Sequence, residues 1–226
     1  MDKSKSGDIL DITKADRYRT VEELFERSKP NSSFYTLLIL STLIITSGLL
    51  LNNSTIVIGG MLLTPVLTPI LLVGLGLSVG ELRSMKEVGV LIGKSLLVIL
   101  VSSFVIALVF GYPQDVYAFE DTARAALLYF IVAILSGVVG AFAWARKEIL
   151  DILPGVAIAV SLVPPLSLVG IWVSALDLAT ARFYFSVFVL NFVGVLLGSL
   201  VVFSLLRFSQ IRKEVREKSE ETNGKK

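Results

Sequence analysis

Six long apolar runs alternate with short polar stretches along this chain, at residues 34–51, 55–79, 89–110, 123–144, 149–175 and 181–206. Crossing a hydrocarbon core of about 30 Å takes roughly 20 apolar residues in a helix. The runs therefore predict an all-α integral membrane protein with six transmembrane helices. Every connection is short, so consecutive helices are neighbours, and the first link, Asn52-Asn53-Ser54, has the composition of a tight turn. The organisation that follows is a polar tail over residues 1–32, a membrane domain over 33–206 and a charged tail over 207–226. Residues 8–29 mix Ile9, Leu10, Ile12, Val21, Leu24 and Phe25 with charges of both signs. They suit either an amphipathic interfacial helix or a solvated tail with one helical turn around Val21–Phe25.

The charges orient the runs. Of the 21 Lys and Arg residues, 18 fall in the two tails and in the second and fourth loops. Arg124 and Arg182 are on the opposite side, and Lys94 lies within a span, close enough to its end to snorkel. The positive-inside rule then puts both termini in the cytoplasm of a multi-pass plasma-membrane protein, with the 111–122 loop facing outward.

Shifting the sequence by 95 residues lays the second run on the fifth: Gly60 on Gly155, Leu67 on Leu162, Pro69 on Pro164 and Leu71 on Leu166. Three spans separate the copies, so the chain reads as two inverted three-helix repeats. Proline in a helix interior removes a hydrogen bond and frees the carbonyl four residues earlier. Pro65, Pro69, Pro164 and Pro165 therefore predict proline-broken helices in spans two and five, buried in protein or beside a watery cavity.

Gly60, Thr64 and Thr68 recur every four residues, which on a continuous helix is one face, and Ser161 and Asn191 are further polar groups at similar depth. Together with the four prolines they form a candidate substrate-binding set. Each has a packing alternative: Gly60 permits close approach, the threonines bond back to their own helix, and Asn191 is interhelical glue. Gly194 with Gly198, and Ala133 with Gly137 and Ala141, serve helix packing within one subunit or in a homo-oligomer equally well.

Composition narrows the chemistry. With 54% hydrophobic and 18% charged residues, a soluble fold could not bury this surface. Cysteine and histidine are absent, which removes thiol chemistry, the usual metal ligands and the usual general base. Apart from Asp151, the third residue of the fifth run, no Asp or Glu lies inside a run, so proton relays on membrane carboxylates are disfavoured, and any coupled ion would be held by neutral oxygens. Asp151 with Arg146 and Lys147, and Asp177 with Arg182, are the only candidates for head-group chemistry, and surface solvation explains them better. The expectation is of no enzyme, cofactor or metal, and of no nucleic-acid partner.

The stretch Val57-Ile58-Gly59-Gly60-Met61-Leu62 through Pro65 and Pro69 resembles the first signature of the domain of unknown function 389 family. Leu153-Pro154-Gly155-Val156-Ala157-Ile158-Ala159-Val160, followed by Leu162-Val163-Pro164-Pro165-Leu166, resembles the second, and Asn191 stands at the family's late asparagine. The resemblance covers roughly Ser33 to Leu206. It departs at Gly60, where alanine is usual, and at Thr64-Pro65-Val66, where Ala-Pro-Leu is usual. It implies a prokaryotic six-span membrane protein, often with a soluble domain beside the spans, and no settled activity. The expected function is a transporter or channel for a small solute or ion between the two halves. The rival is a non-transporting scaffold or sensor that binds a lipid or a partner.

The orientation is testable because the chain offers no background thiol. A single cysteine at Glu120 should react with an impermeant maleimide in intact cells, and one at Glu217 only after permeabilisation. The reverse pattern would overturn the assignment.

Overall fold

A computed structural model describes residues 12–81, 85–111, 123–153, 155–156 and 162–223. Among these residues the structure is helical, with no strand. Helix α1 (Lys14–Arg27) precedes α2 (Ser32–Leu50), α3 (Ser54–Leu63), α4 (Leu67–Val79), α5 (Lys86–Phe110) and α6 (Ala123–Ala145). A 3-10 stretch (Lys147–Ile152), α7 (Val163–Ser174), α8 (Leu178–Leu205), a short 3-10 turn (Phe208–Ile211) and α9 (Arg212–Asn223) follow.

Four helices, α2, α5, α6 and α8, are long and apolar enough to cross a membrane. The pair α3 and α4, bent by 56° at its break, is apolar and long enough only when the two are taken together, and makes a fifth if the pair is one span. The run at 149–175 is not one continuous described helix. Its helical part, α7, has 12 residues and a length of about 18 Å, short of a bilayer by itself. Pro154 and residues 157–161, Ser161 included, lie outside the described residues, as does the 112–122 loop.

Local sequence accounts for the ends. Asn52 takes a left-handed φ of 50°, and the Asn53 side chain accepts from Thr55 N and Ile56 N, so the first link turns tightly and caps α3. Asn31 caps α2 through Phe34 N, and Asp177 caps α8 through Thr180 N. Thr13 and Asp16 form a capping box on α1, whose Val21, Leu24 and Phe25 are buried. This helix sets its apolar face on the bundle, against α4 and α6, so protein covers it in place of lipid.

Glycine governs the helix crossings. A Cβ on Gly60 would strike Ser41 and Ile45 of α2, so α3 lies close along α2. Gly137 of α6 faces the Val195 backbone, and Gly194 and Gly198 of α8 face the α6 backbone, which draws these two long helices together. Half-helix α4 crosses α8 where Gly74 meets Ser199, and α7 crosses α5 where Gly170 meets Ser103. The last residues of α2, α4 and α5 (Leu50, Val79 and Phe110) each stand 95 residues before those of α6, α7 and α8 (Ala145, Ser174 and Leu205).

Helix α1 closes one end. Its Arg17, buried at 7% exposure, donates through Nε to Leu206 O at 2.9 Å, at the C-terminal end of α8. Thr20 Oγ1 shares its one proton between Asp16 O of its own helix, at 2.7 Å, and Trp144 O, at 3.0 Å, near the end of α6. A cation and a hydroxyl thus supply donors where helices expose unpaired carbonyls and the negative end of the dipole. The same end carries α9, joined by Arg212 to Glu81 at 2.7 Å and by Tyr18 to Glu214 at 2.5 Å. The Tyr18 hydrogen bond holds the Glu214 carboxyl below its ordinary pKa and raises that of Tyr18.

Three outcomes follow for unfolding measured in micelles. Gly198→Ala should lower stability by about 1–3 kcal/mol, because the added methyl meets backbone that cannot turn aside. Gly59→Ala, which meets nothing within 4 Å, should be neutral or stabilising by up to about 1 kcal/mol. Arg17→Met should cost about 1.5–3 kcal/mol through the lost charge-assisted bond; an unchanged midpoint would show that α1 is only loosely seated.

Candidate functional site

The break between α3 and α4 begins where Thr64 leaves helical geometry, with ψ at 124°. Gly60, Thr64 and Thr68 therefore do not share one continuous helical face, as regular spacing had suggested. Gly60 is buried against α2, Thr64 lies in the break, and Thr68 is the second residue of α4. The prolines do not interrupt helix interiors either. Pro65 lies in the break and Pro69 is the third residue of α4, while Pro164 and Pro165 are the second and third residues of α7. In a first turn an amide has no intrahelical partner to lose, so proline begins these helices at little cost. The Met61 carbonyl stays paired, accepting from Thr64 N at 3.3 Å.

Both half-helices start without a side-chain cap, at Val66 and Leu162. Their first-turn amides, fewer by the prolines, are left to water, solute or neighbouring groups. Thr64 Oγ1 donates back to Gly60 O at 3.2 Å. The Thr68 hydroxyl makes no hydrogen bond among the described residues.

Thr64, Pro65 and Thr68 come together in one cleft of about 380 Å³. Its polar rim is Glu26, Arg27, Asn31 and Ser33, from the junction of α1 and α2. Its apolar walls include Phe34, Leu37, Leu62, Leu67, Trp144 and Leu153. The Arg27 guanidinium sits 5.3 Å from the Trp144 ring centroid, within cation–π range. Asn191, Pro164, Pro165 and Gly60 do not line this cleft. Asn191 is buried at 4% exposure in α8, one turn before the Gly194 contact with α6.

Most buried hydroxyls satisfy themselves locally. Thr42, Thr46, Ser95 and Ser103 each donate to the carbonyl four residues back, at 2.7–2.8 Å. Ser167 differs, since its Oγ is fully buried without a partner among the described residues, one turn into α7. Sequence spacing passed over Ser167 because serine one turn beyond a proline pair looks like ordinary back-bonding. It passed over Arg27, Asn31 and Trp144 because they lie outside the spans or at their ends, and only the fold of α1 against α6 brings them to the break.

Among the described residues no group of three acidic side chains could hold a metal ion. The Asp177 carboxylate is engaged at the start of α8, accepting from Thr180 Oγ1 at 2.6 Å and from Thr180 N at 3.0 Å. These bonds, the hydroxyl's first, hold its pKa below the ordinary value. Lys94 is exposed on the outer face of α5.

Comparison with known proteins agrees with the resemblance seen in the signatures. The chain is 25% identical over 206 residues to the uncharacterized protein MJ0678 of Methanocaldococcus jannaschii, covering 89% of this chain and 62% of that protein. It thus spans about three-fifths of the length of that relative. No solved structure matches. Residues 61–197, from the Met61 turn before the break to just past Gly194 of α8, match the family described as Domain of unknown function (DUF389). The chain belongs to the DUF389 family.

Proposed function

We propose that this protein is a six-span carrier or channel of the plasma membrane, both termini cytoplasmic, passing a small solute or ion between two inverted three-helix halves. One observation carries the reading: each half-helix crosses the last long helix of the other half through a glycine–serine contact, Gly74 on Ser199 and Gly170 on Ser103. Helix ends recurring at the 95-residue interval support the same pairing. The two half-helices run in opposite senses. Helix α4 ends at Val79, two residues before the Glu81 that pairs with Arg212 at the α1 end, while α7 ends at the far turn that leads into α8. Their uncapped first turns both fall inside the bundle, an arrangement that transporters with inverted repeats use to meet polar substrate groups.

On this reading Thr64, Thr68 and Ser161 supply neutral oxygens, Asn191 an amide, and Gly60 with the four prolines the broken backbone. No covalent chemistry is invoked.

A second reading, a non-transporting scaffold or sensor, draws on the close packing of α6 on α8 and on the locally satisfied hydroxyls. Flux assays in reconstituted vesicles separate the two. Thr68→Ala and Asn191→Ala should each change flux of a transported solute by about tenfold, the loss of ~1.4 kcal/mol of interaction along the path. If the parent and both variants match empty liposomes across a broad panel of anions, cations and neutral solutes, transport is excluded and the scaffold reading stands.

A further inference from the structure

We propose that the cleft between the α1–α2 junction and the α3–α4 break is a specific seat for an anionic phospholipid, its phosphate at Arg27 and its acyl chains over Leu37 and Leu62. The inference needs only the membrane setting and no transport activity.

The polar end has one charge to offer. Arg27 makes no ion pair among the described residues, and its guanidinium is steadied against Trp144. Glu26, the acidic group on the same rim, is ion-paired with Lys29. The net charge at the rim is therefore that of Arg27, in a geometry suited to two phosphate oxygens. Asn31 Oδ1 caps Phe34 N, which leaves the Ser32 and Ser33 amides, the latter residue on the cleft rim, without an intrahelical partner.

The apolar end is what selects a lipid over a free anion. Leu37 and Leu62 are 43% and 45% exposed and continue into Leu40 and Leu63, at 50% and 46%, on the outer surface of the bundle. The cleft thus opens sideways where acyl chains would lie. Its 380 Å³ suits a head group and glycerol, with the chains outside. The Thr68 hydroxyl, without a partner among the described residues, lines the same cleft and can donate to an ester carbonyl. A free phosphate would satisfy the rim and leave this wall without a partner.

Trp144 lines the cleft and is one of only two tryptophans, so Trp172→Phe makes it a sole reporter. In mixed micelles, brominated phosphatidylglycerol should quench Trp144 saturably, at a mole fraction about fivefold below that of brominated phosphatidylcholine. Arg27→Gln should abolish the preference and Arg27→Lys should keep most of it. Native mass spectrometry of the parent chain, which leaves Trp172 in place, should find one more retained phosphatidylglycerol than in Arg27→Gln. Equal quenching by the two lipids, or a preference that survives Arg27→Gln, would overturn the proposal. Displacement of the brominated lipid by millimolar glycerol phosphate would overturn it as well, since the site would then be one for a free anion.

Discussion

A peptide bond inside hydrocarbon must find its hydrogen-bond partner in protein, and this requirement shapes the whole molecule. It makes the described chain helical, it keeps buried serine and threonine hydroxyls on their own carbonyls, and it concentrates attention on the few places where a helix starts or stops in the interior. Among the described residues two such starts occur, at Val66 and Leu162. Proline is found at both because a residue without an N–H leaves one fewer donor to satisfy there. The break is therefore a junction between two well-formed helices, stabilised by what surrounds it.

What surrounds it is unusually close packing through small residues. Gly60, Gly74, Gly137, Gly170, Gly194 and Gly198 all stand where a methyl would collide with a neighbour, and in lipid such close contact is a main source of helix association. The result is a bundle whose long helices are firmly paired and whose half-helices are clamped between them. The ends of the bundle obey the same rule by other means. Arg17 and Thr20 bring α1 under α8 and α6 by supplying donors to their terminal carbonyls. That docking carries the α1–α2 junction to the level of the break, so the cleft is a by-product of helix capping.

Much of this was legible in the residues. Apolar run length marked α2, α5, α6 and α8, Asn52-Asn53 marked the first turn, and prolines marked where spans two and five depart from regular helix. The paired signatures, around Pro65 and Pro69 and around Pro164 and Pro165, placed the chain in its family, although the matched segment begins only at Met61. The position of the prolines was misjudged in a specific way. A proline reads identically in a helix interior and in a first turn until the residue where the helix begins is known, and that residue depends on tertiary packing.

The same distinction separates the two sources of information for the candidate site. Hydropathy and charge segregation are local properties, repeated over about 20 residues, and by themselves they determined that the chain is helical, membrane-suited and asymmetric in charge. Which polar residues share a cavity depends on contacts between segments far apart in the chain. Thr68 meets Arg27 and Trp144 because α1 folds back onto α6, and Asn191 stays apart because α8 turns it into the packed interior. Periodicity along one helix carries no information about such meetings, so only the tertiary structure could decide them.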